Sequence, residues 1–345
     1  MLISQSNLFM PNHQDFMRYC LKLAAVAKGY TKTNPLVACI IVHENKIIGE
    51  GYHRSFGAEH AEVNAFAMVE NKSLLKESTV YVNLEPCSYY GKTPACCDLF
   101  EKYPCKEIII GMKDPNPLVA GNGIARLKAA GIKVLMSDLE AECKQLNVAF
   151  CKSIVSAKPY VIAKFAQSQD GFITKIGERT QISNALVNLQ NQQWRIFADA
   201  IIIGNNTLKI DNPLLSQRVF DKPQPLRVVL GKTFNFELPF FQIETPICCF
   251  GSNQISPKAH INVFETTDLK EILTVLYKQN IGSVVIEGGL QVLQSFIDQD
   301  LVDELYVVTN TTLALLAGVR APSFEDFCCM SEDMYGNNRI EYFVK

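Results

Sequence analysis

The chain has 345 residues, 48% of them hydrophobic and 20% charged, a composition that favours two folded domains and excludes long disorder. Lysine plus arginine number 33 against 35 aspartate plus glutamate, for a net charge of −2, which excludes a general nucleic-acid coat. Any anionic substrate must then be held by local arginines and helix ends.

In chain order, residues 13–28 carry helical periodicity through Phe16, Tyr19, Cys20, Leu23, Ala24 and Ala27, with Gly29 as a C-cap. Leu36–Val42 and Lys46–Gly51 read as strands around a turn at Glu44-Asn45. A helix over Glu59–Val69 follows, then a β-rich strand at Thr79–Leu84, a cysteine-bearing loop and a short helix near Cys96–Tyr103. Glu107–Met112 is a strand, Gly123–Ala130 a helix closed by Gly131, and Ile132–Met136 a strand. After a helix ending near Cys151, Lys158-Pro159 marks a boundary, because the residue before proline is pushed out of the helical region. Strands then fall at Tyr160–Phe165, Ala200–Ile203, Leu226–Leu230, Pro246–Phe250, Ser283–Glu287 and Glu304–Thr309. Helices lie near Leu186–Phe197, Leu269–Gln279 and Leu290–Asp298. Alternating strands and helices predict α/β layers in both halves, with domains at 1–151 and 158–345.

Apolar runs such as Val37–Val42 and Ala200–Ile203 are far short of the ~18 residues of a membrane span, and the N-terminus lacks a basic segment before an apolar stretch. The 12 cysteines are scattered, some in pairs (Cys96-Cys97, Cys248-Cys249, Cys328-Cys329), which is no disulfide framework. A reducing cytoplasm is expected, with no membrane and no nucleic-acid partner, and with a homo-oligomer left open.

The first half carries a metal-binding pattern. His60-Ala-Glu62 opens a helix, Pro86-Cys87 follows a strand, and Cys96 and Cys97 lie nine and ten positions beyond Cys87. One imidazole and two thiolates make a three-ligand zinc site with a fourth position for water, whose pKa the metal lowers towards neutrality. Glu62, not itself a ligand, would shuttle protons, as in zinc deaminases acting on amidine-like ring carbons. A structural zinc knuckle would want four ligands. Spacing leaves open whether Cys96 or Cys97 is the third ligand.

The stretch Leu84-Glu-Pro-Cys-Ser-Tyr-Tyr-Gly-Lys-Thr-Pro-Ala-Cys96 resembles the signature of the bifunctional riboflavin-biosynthesis deaminase/reductase family. Thr33-Asn-Pro, Gly49-Glu-Gly-Tyr-His53, His60-Ala-Glu-Val63, Met112-Lys-Asp-Pro-Asn-Pro117 and Val119-Ala-Gly-Asn-Gly123 match the same family in order. The resemblance implies His60, Cys87 and Cys96 as zinc ligands, Glu62 as the proton shuttle, and substrate contacts at Asn34, His53, Lys92, Asp114 and Asn116. For Asn34 and Asn116, beside Pro35 and Pro117, turn chemistry is the competing reading. Tyr89 stands where the family usually has histidine.

The second half resembles the family's reductase domain through Lys158-Pro-Tyr-Val-Ile-Ala-Lys164, Ser168-Gln-Asp-Gly171, Ala198–Gly204, Gln224–Leu230, Ile286-Glu-Gly-Gly289 and Leu301-Val-Asp-Glu304. Glu287-Gly288-Gly289 ends a strand and opens a helix, where glycines let a backbone approach phosphate. The resemblance implies NADPH contacts at Ala166, Thr207, Asp211 and Gly289, and substrate contacts at Arg195, Leu215, Arg218 and Glu287. Departures from the family pattern are Gln181 for a tryptophan, Asn188 for an arginine, Asn212 for an aspartate, and Val307–Asn310 for an aromatic segment.

The resemblance therefore implies a cytidine-deaminase-like three-layer α/β/α domain followed by a dihydrofolate-reductase-like α/β domain. It implies zinc-dependent deamination of a phosphorylated diaminopyrimidinone, then NADPH-dependent reduction of its ribosyl group to ribityl. A second reading is a deaminase whose weakened reductase-like domain serves as scaffold. A zinc-stabilised binding module and a nucleic-acid deaminase are further alternatives, the last without the basic groove it would need.

Overall fold

The computed structural model describes residues 11–90, 94–216, 222–251 and 258–345. The chain forms two compact units, Met1–Ser156 and Ala157–Lys345. Both are α/β, as the alternation of elements predicts.

The first unit begins with α1 (His13–Ala25), fixed at its start by a reciprocal cap in which Asn12 Oδ1 accepts from the Asp15 N–H and Asp15 Oδ2 from the Asn12 N–H, both at 3.0 Å. The helix ends a turn before Gly29, which takes φ +84° in the turn that follows. Strands β1 (Ala38–His43) and β2 (Lys46–Tyr52) form a hairpin. Its turn residues Glu44 and Asn45 have φ +47° and +61°, the double left-handed conformation that matches strand twist in a two-residue turn. Then come α2 (Ala61–Met68), a 3-10 helix at Lys72–Glu77, β3 (Thr79–Val82), α3 (Cys96–Lys102), β4 (Glu107–Ile110), α4 (Asn122–Ala129) and β5 (Lys133–Met136). The unit closes with α5 (Glu140–Leu146) and α6 (Val148–Ser156). The last helix runs past Cys151 to Ser156, where Ala157, at φ +53°, stops it.

The sheet order is β2-β1-β3-β4-β5, with β1 antiparallel to both neighbours and β3, β4 and β5 parallel. Buried Cys39, Ile40 and Ile41 of β1 and Ile108 and Ile110 of β4 fill the core, with Phe16, Met17, Cys20 and Ala24 of α1 packed on them. Helix α2 packs on the hairpin with almost no space between. A Cβ at Gly51 would lie 2.4 Å from the Ala65 nitrogen and 2.7 Å from the Ala61 oxygen. Gly51→Ala should therefore lower stability by about 1–3 kcal/mol, read as a lower urea midpoint at unchanged slope. An unchanged midpoint would show that the helix can shift.

The second unit comprises β6 (Tyr160–Ser168), β7 (Phe172–Thr174), α7 (Ala185–Phe197), β8 (Ala200–Gly204), α8 (Asn205–Asp211), β9 (Leu226–Leu230), β10 (Ile247–Phe250) and β11 (Ile261–Phe264). It continues with α9 (Leu269–Lys278), β12 (Ser283–Ile286), α10 (Leu290–Asp298), β13 (Glu304–Asn310), β14 (Val319–Arg320), β15 (Cys328–Tyr335) and β16 (Asn338–Val344). A nine-stranded sheet runs β11-β10-β9-β8-β12-β6-β13-β16-β15. It is parallel from β11 to β13, and β16 and β15 add an antiparallel edge. Residues of α9 and α10 (Ile272, Leu276, Leu293, Phe296) pack in one cluster with Val161, Ile202 and Val284. Val187, Trp194 and Ala198 of α7 pack with Val285, Val308 and Ile340 in another.

No strand is predicted after Thr309, yet the structure adds the β15–β16 hairpin, turned at Gly336 with φ +63°. Residues 328–334 of β15 are all exposed, so this edge strand carries none of the apolar alternation that reveals half-buried strands. Among the described residues no helix is long and apolar enough to cross a membrane.

Candidate active sites

In the first unit, His60 is the N-cap residue of α2, and its extended backbone (φ −69°, ψ 156°) frees the imidazole from the helix. Cys87 lies in the loop after β3, and Cys96 opens α3. These three side chains form the one group of at least three potential ligands found among the described residues, with their ligand atoms within 4.8 Å of one another. His60 Nδ1 is 3.1 Å from Cys96 Sγ and 3.5 Å from Cys87 Sγ, while the Cys96 N–H points at Cys87 Sγ at 3.2 Å. Ligands of a tetrahedral zinc ion sit roughly 3.5–3.8 Å apart. The His60–Cys87 separation meets this and the His60–Cys96 separation is a few tenths of an ångström short, so a small opening of the cluster suits one nitrogen and two sulfurs to the metal.

The two thiols share a hydrogen bond. Cys87 accepts it and is drawn well below the usual thiol range, first by that bond and then, against burial, by His60. Cys96 is pushed up by the same bond and by burial. Cys97 faces away, its sulfur 3.8 Å from both the Pro86 and Gly123 carbonyl oxygens, inside the core. The docking of α3 thus places Cys96, and not Cys97, in the group of potential ligands with His60 and Cys87.

Glu62 sits in the first turn of α2 and is 3% exposed. Burial, followed by the Cys87 charge, raises its carboxyl above the ordinary range. His53 is buried beside His60, their rings edge-to-face at 6.2 Å. Its Nδ1 is 3.1 Å from the Glu59 carbonyl oxygen and its Nε2 is 3.0 Å from Asn34 Nδ2. The carbonyl needs a donor and the amide needs an acceptor, so the ring is neutral with the proton on Nδ1. Burial lowers the His53 pKa in the same sense. Asn34 therefore orients a histidine rather than only making a turn.

Asp114 and Asn116 occupy the loop before α4. Asp114 Oδ1 accepts from the Asn116 N–H at 2.8 Å, and Asn116 Oδ1 from the Leu118 N–H at 3.1 Å. Burial first, and then Glu85 and Cys87, push the Asp114 carboxyl up. Tyr89 is 54% exposed. Its phenol is raised first by burial and then by the charges of Asp114 and Cys87. Lys92 lies outside the described residues.

In the second unit, a cavity of about 980 Å³ opens at the carboxyl ends of β6, β8, β9 and β12, where open parallel sheets bind ligands. Ala166, Thr207, Asp211, Gly289 and Glu287 all line it. Thr207 Oγ1 accepts from the Gly289 N–H at 2.9 Å, tying the Gly288-Gly289 turn to α8. That N–H is thereby occupied, and Val292 and Leu293 bond the Gly289 carbonyl, leaving the first N–H groups of α10 ahead of them to face a phosphate. Arg179, Lys209 and Lys232 add positive charge to the wall. The volume, the glycine turn and these cations fit a phosphorylated dinucleotide.

Arg195 reaches Glu287 through two bonds, Nε to Oε1 at 2.8 Å and Nη2 to Oε2 at 2.6 Å, and donates to the Ser216 carbonyl at 3.3 Å. Against burial, this pair holds the Glu287 carboxyl below its usual range. The Leu215 side chain is 2% exposed and packs in the apolar cluster around Phe240 and Phe241, so it does not line the cavity. Arg218 lies outside the described residues. Gln181 and Asn188 line the cavity, so both departures fall on its wall. Asn212 is the C-cap of α8 at φ +41°, a conformation asparagine tolerates well. Asn310 is buried, and its side chain holds the Ile182 carbonyl and the Thr312 and Leu313 N–H groups.

Sequence reasoning assigns no role to Lys164 or Glu85. Lys164 projects into the cavity, about 5.9 Å from the Trp194 ring centroid. Burial lowers its pKa, with Glu287 opposing and Arg195 reinforcing the shift. A lysine inside the apolar run Tyr160–Phe165 is the signal that could have found it.

Two family profiles match the chain: the cytidine and deoxycytidylate deaminase zinc-binding region over residues 10–112 and the RibD C-terminal domain over residues 159–314. The chain is 37% identical over 325 residues to riboflavin biosynthesis protein RibD of Bacillus amyloliquefaciens, covering 89% of this chain and 86% of that one. It is 34% identical over 321 residues to the RibD of Actinobacillus pleuropneumoniae, covering 85% and 82%. The solved structure of Acinetobacter baumannii RibD superposes with a TM-score of 0.86 at 30% identity, covering 96% of this chain and 98% of that one. A deaminase/reductase structure from Thermotoga maritima superposes with a TM-score of 0.87 at 28% identity, covering 95% and 97%.

Proposed function

Since the chain belongs to the RibD family of bifunctional riboflavin-biosynthesis deaminase/reductases, we propose that its two reactions are divided between the two sites described, the deaminase in residues 1–151 and the reductase in residues 158–345. The observation that carries this reading is that each unit holds a complete constellation of its own: the His60, Cys87, Cys96 and Glu62 cluster in one, and the cavity with Asp211, Glu287 and the Gly288-Gly289 turn in the other.

In the deaminase, His60, Cys87 and Cys96 hold zinc, which when bound supplies the Lewis acidity that makes water nucleophilic near neutral pH. Glu62, with its carboxyl raised by burial, takes the proton of the attacking water on its carboxylate oxygen and passes it to the pyrimidine ring nitrogen. It then takes the second proton from the hydroxyl newly formed on the ring carbon and gives it to the departing amine. The 2-amino group of the diaminopyrimidinone leaves as ammonia and an oxygen takes its place. Neutral His53, fixed by Asn34 and the Glu59 carbonyl, presents the base a wall of settled orientation. Asp114 and Asn116 contact the ring and its ribose phosphate.

In the reductase, Ala166, Thr207, Asp211 and Gly289 hold NADPH, which when bound supplies the hydride delivered to the sugar carbon. The Arg195–Glu287 pair fixes the Glu287 carboxylate towards the ribosyl group. Lys164 adds a cation at the same wall. A reducing cytoplasm suits the deaminase site, because its two thiol ligands must stay reduced.

The test supplies the diaminopyrimidinone phosphate with and without NADPH and identifies products by mass. Deaminated ribosylamino product is expected without cofactor, and ribityl product with it. A stacking aromatic is worth about 1 kcal/mol, so glutamine at Gln181 should raise the cofactor requirement several-fold without abolishing turnover. No reduction of the deaminated intermediate at millimolar NADPH, with the unit folded, would leave the deaminase-only reading standing.

A further inference from the structure

Glu85 lies between β3 and α3, two residues before Cys87, and is 5% exposed. Its carboxylate has three main-chain partners, none of them local. Oε2 accepts from the Asp114 N–H at 3.1 Å and the Gly121 N–H at 2.9 Å, and Oε1 accepts from the Ile124 N–H at 3.1 Å. These donors bracket the segment 114–124. Gly121 is the N-cap of α4, at φ +83°, and has no side chain to cap the helix. Glu85, 36 positions upstream, supplies the oxygens that a capping serine or aspartate would otherwise provide. The approach needs a glycine at 123, where a Cβ would stand 2.1 Å from the Pro86 carbonyl oxygen and 3.2 Å from Glu85 Oε1.

The bonds continue outward as a relay. Glu85 holds the Asp114 backbone, the Asp114 carboxylate holds the Asn116 N–H, and the Asn116 amide oxygen holds the Leu118 N–H. The segment's prolines, Pro115 and Pro117, offer no N–H of their own, so few donors remain to order it. Along the chain, only Pro86 separates Glu85 from Cys87. We infer that Glu85 is the positioning residue of the substrate loop, setting Asp114 and Asn116 against the metal-ligating cysteine segment without touching substrate. The inference rests on the proposed role of Asp114 and Asn116 as substrate contacts.

Glu85→Gln keeps the shape but places an NH2 group where an acceptor is needed, so at least one main-chain N–H loses its partner. Displacement of contacts made equally in ground and transition states raises KM rather than lowering kcat. The KM for the diaminopyrimidinone phosphate should rise about tenfold or more, with kcat within about threefold. Zinc per chain and NADPH-dependent reduction of pre-deaminated substrate should be unchanged. Glu85→Asp, which keeps both oxygens on a shorter arm, should give a smaller rise and serves where the glutamine variant does not fold. In the unmutated protein, the amide hydrogens of Asp114, Gly121 and Ile124 should exchange slowly.

An unchanged KM in both variants, or fast exchange at all three amides, overturns the inference. So does loss of zinc, which would make Glu85 a support of the metal centre. Asp114→Asn and Asn116→Ala separate the two readings. If they leave KM unchanged, the loop is not a substrate contact and the inference falls with that assignment. If they raise KM while the Glu85 variants do not, only the positioning role is lost.

Discussion

Glu62→Gln should slow deamination of the pyrimidine by about 10²–10⁴-fold, the usual contribution of a positioned general acid/base, while zinc stays bound and reduction proceeds unchanged. Glutamine has the size and polarity of glutamate but no proton to trade at its carboxyl. Glu62 lies in the first turn of α2 and is 3% exposed, so bulk water has little access to replace it. Burial and the neighbouring Cys87 charge also raise its carboxyl, which helps it to hold a proton between transfers. The measurement is the deamination rate at saturating substrate, beside metal content and the NADPH-dependent rate on pre-deaminated substrate. Deamination close to the unmutated rate would remove Glu62 from the proton path. A fall in both activities would point instead to a damaged fold.

Cys96→Ser should lose zinc and, with it, essentially all deamination, whereas Cys97→Ser should keep both. The two residues are adjacent, yet their sulfurs have opposite surroundings. Cys96 Sγ is 3.1 Å from His60 Nδ1, within the ligand cluster. Cys97 Sγ faces the Pro86 and Gly123 carbonyls, and burial pushes its thiol up to about 12, far from the thiolate that a metal needs. A serine at 97 can donate its one O–H to either the Pro86 or the Gly123 carbonyl, at a stability cost on the order of 1–3 kcal/mol for a hydroxyl in a largely apolar site. Metal analysis of the purified variants decides, with about one zinc per chain expected for the Cys97 variant. A chelator applied to the unmutated protein should reproduce the Cys96 phenotype, stopping deamination and leaving reduction intact. Equal metal loss in both cysteine variants would mean that α3 docks in a different rotation.

The candidate chemistry was legible wherever it is local. His60 and Glu62 share the start of one helix, and Cys87 follows a strand, so pattern alone brings out the zinc motif. The Glu44-Asn45 turn and the helices α7, α9 and α10 announce themselves by turn chemistry and 3.6-residue periodicity. Asn212 can be understood from its position alone once the helix end is known, since a C-cap at φ +41° suits asparagine as well as aspartate.

What the sequence by itself determined is therefore the α/β character of both halves, the zinc donor types and the residues available to each reaction. Tertiary structure decided which neighbours those residues meet. Consecutive residues on a helix point about 100° apart, so only the docking of α3 puts Cys96 rather than Cys97 beside His60. Arg195 and Glu287 stand 92 positions apart, and no local pattern pairs these two expected substrate contacts with each other. Leu215 became core because the cluster around Phe240 closes over it. Glu85 sits inside a recognisable motif, but its three partners lie 29 to 39 positions downstream. Edge strand β15 has no buried face to advertise it. In each case the deciding contact joins segments distant in sequence, and the energy of burial and hydrogen bonding that selects it exists only once the chain has closed on itself.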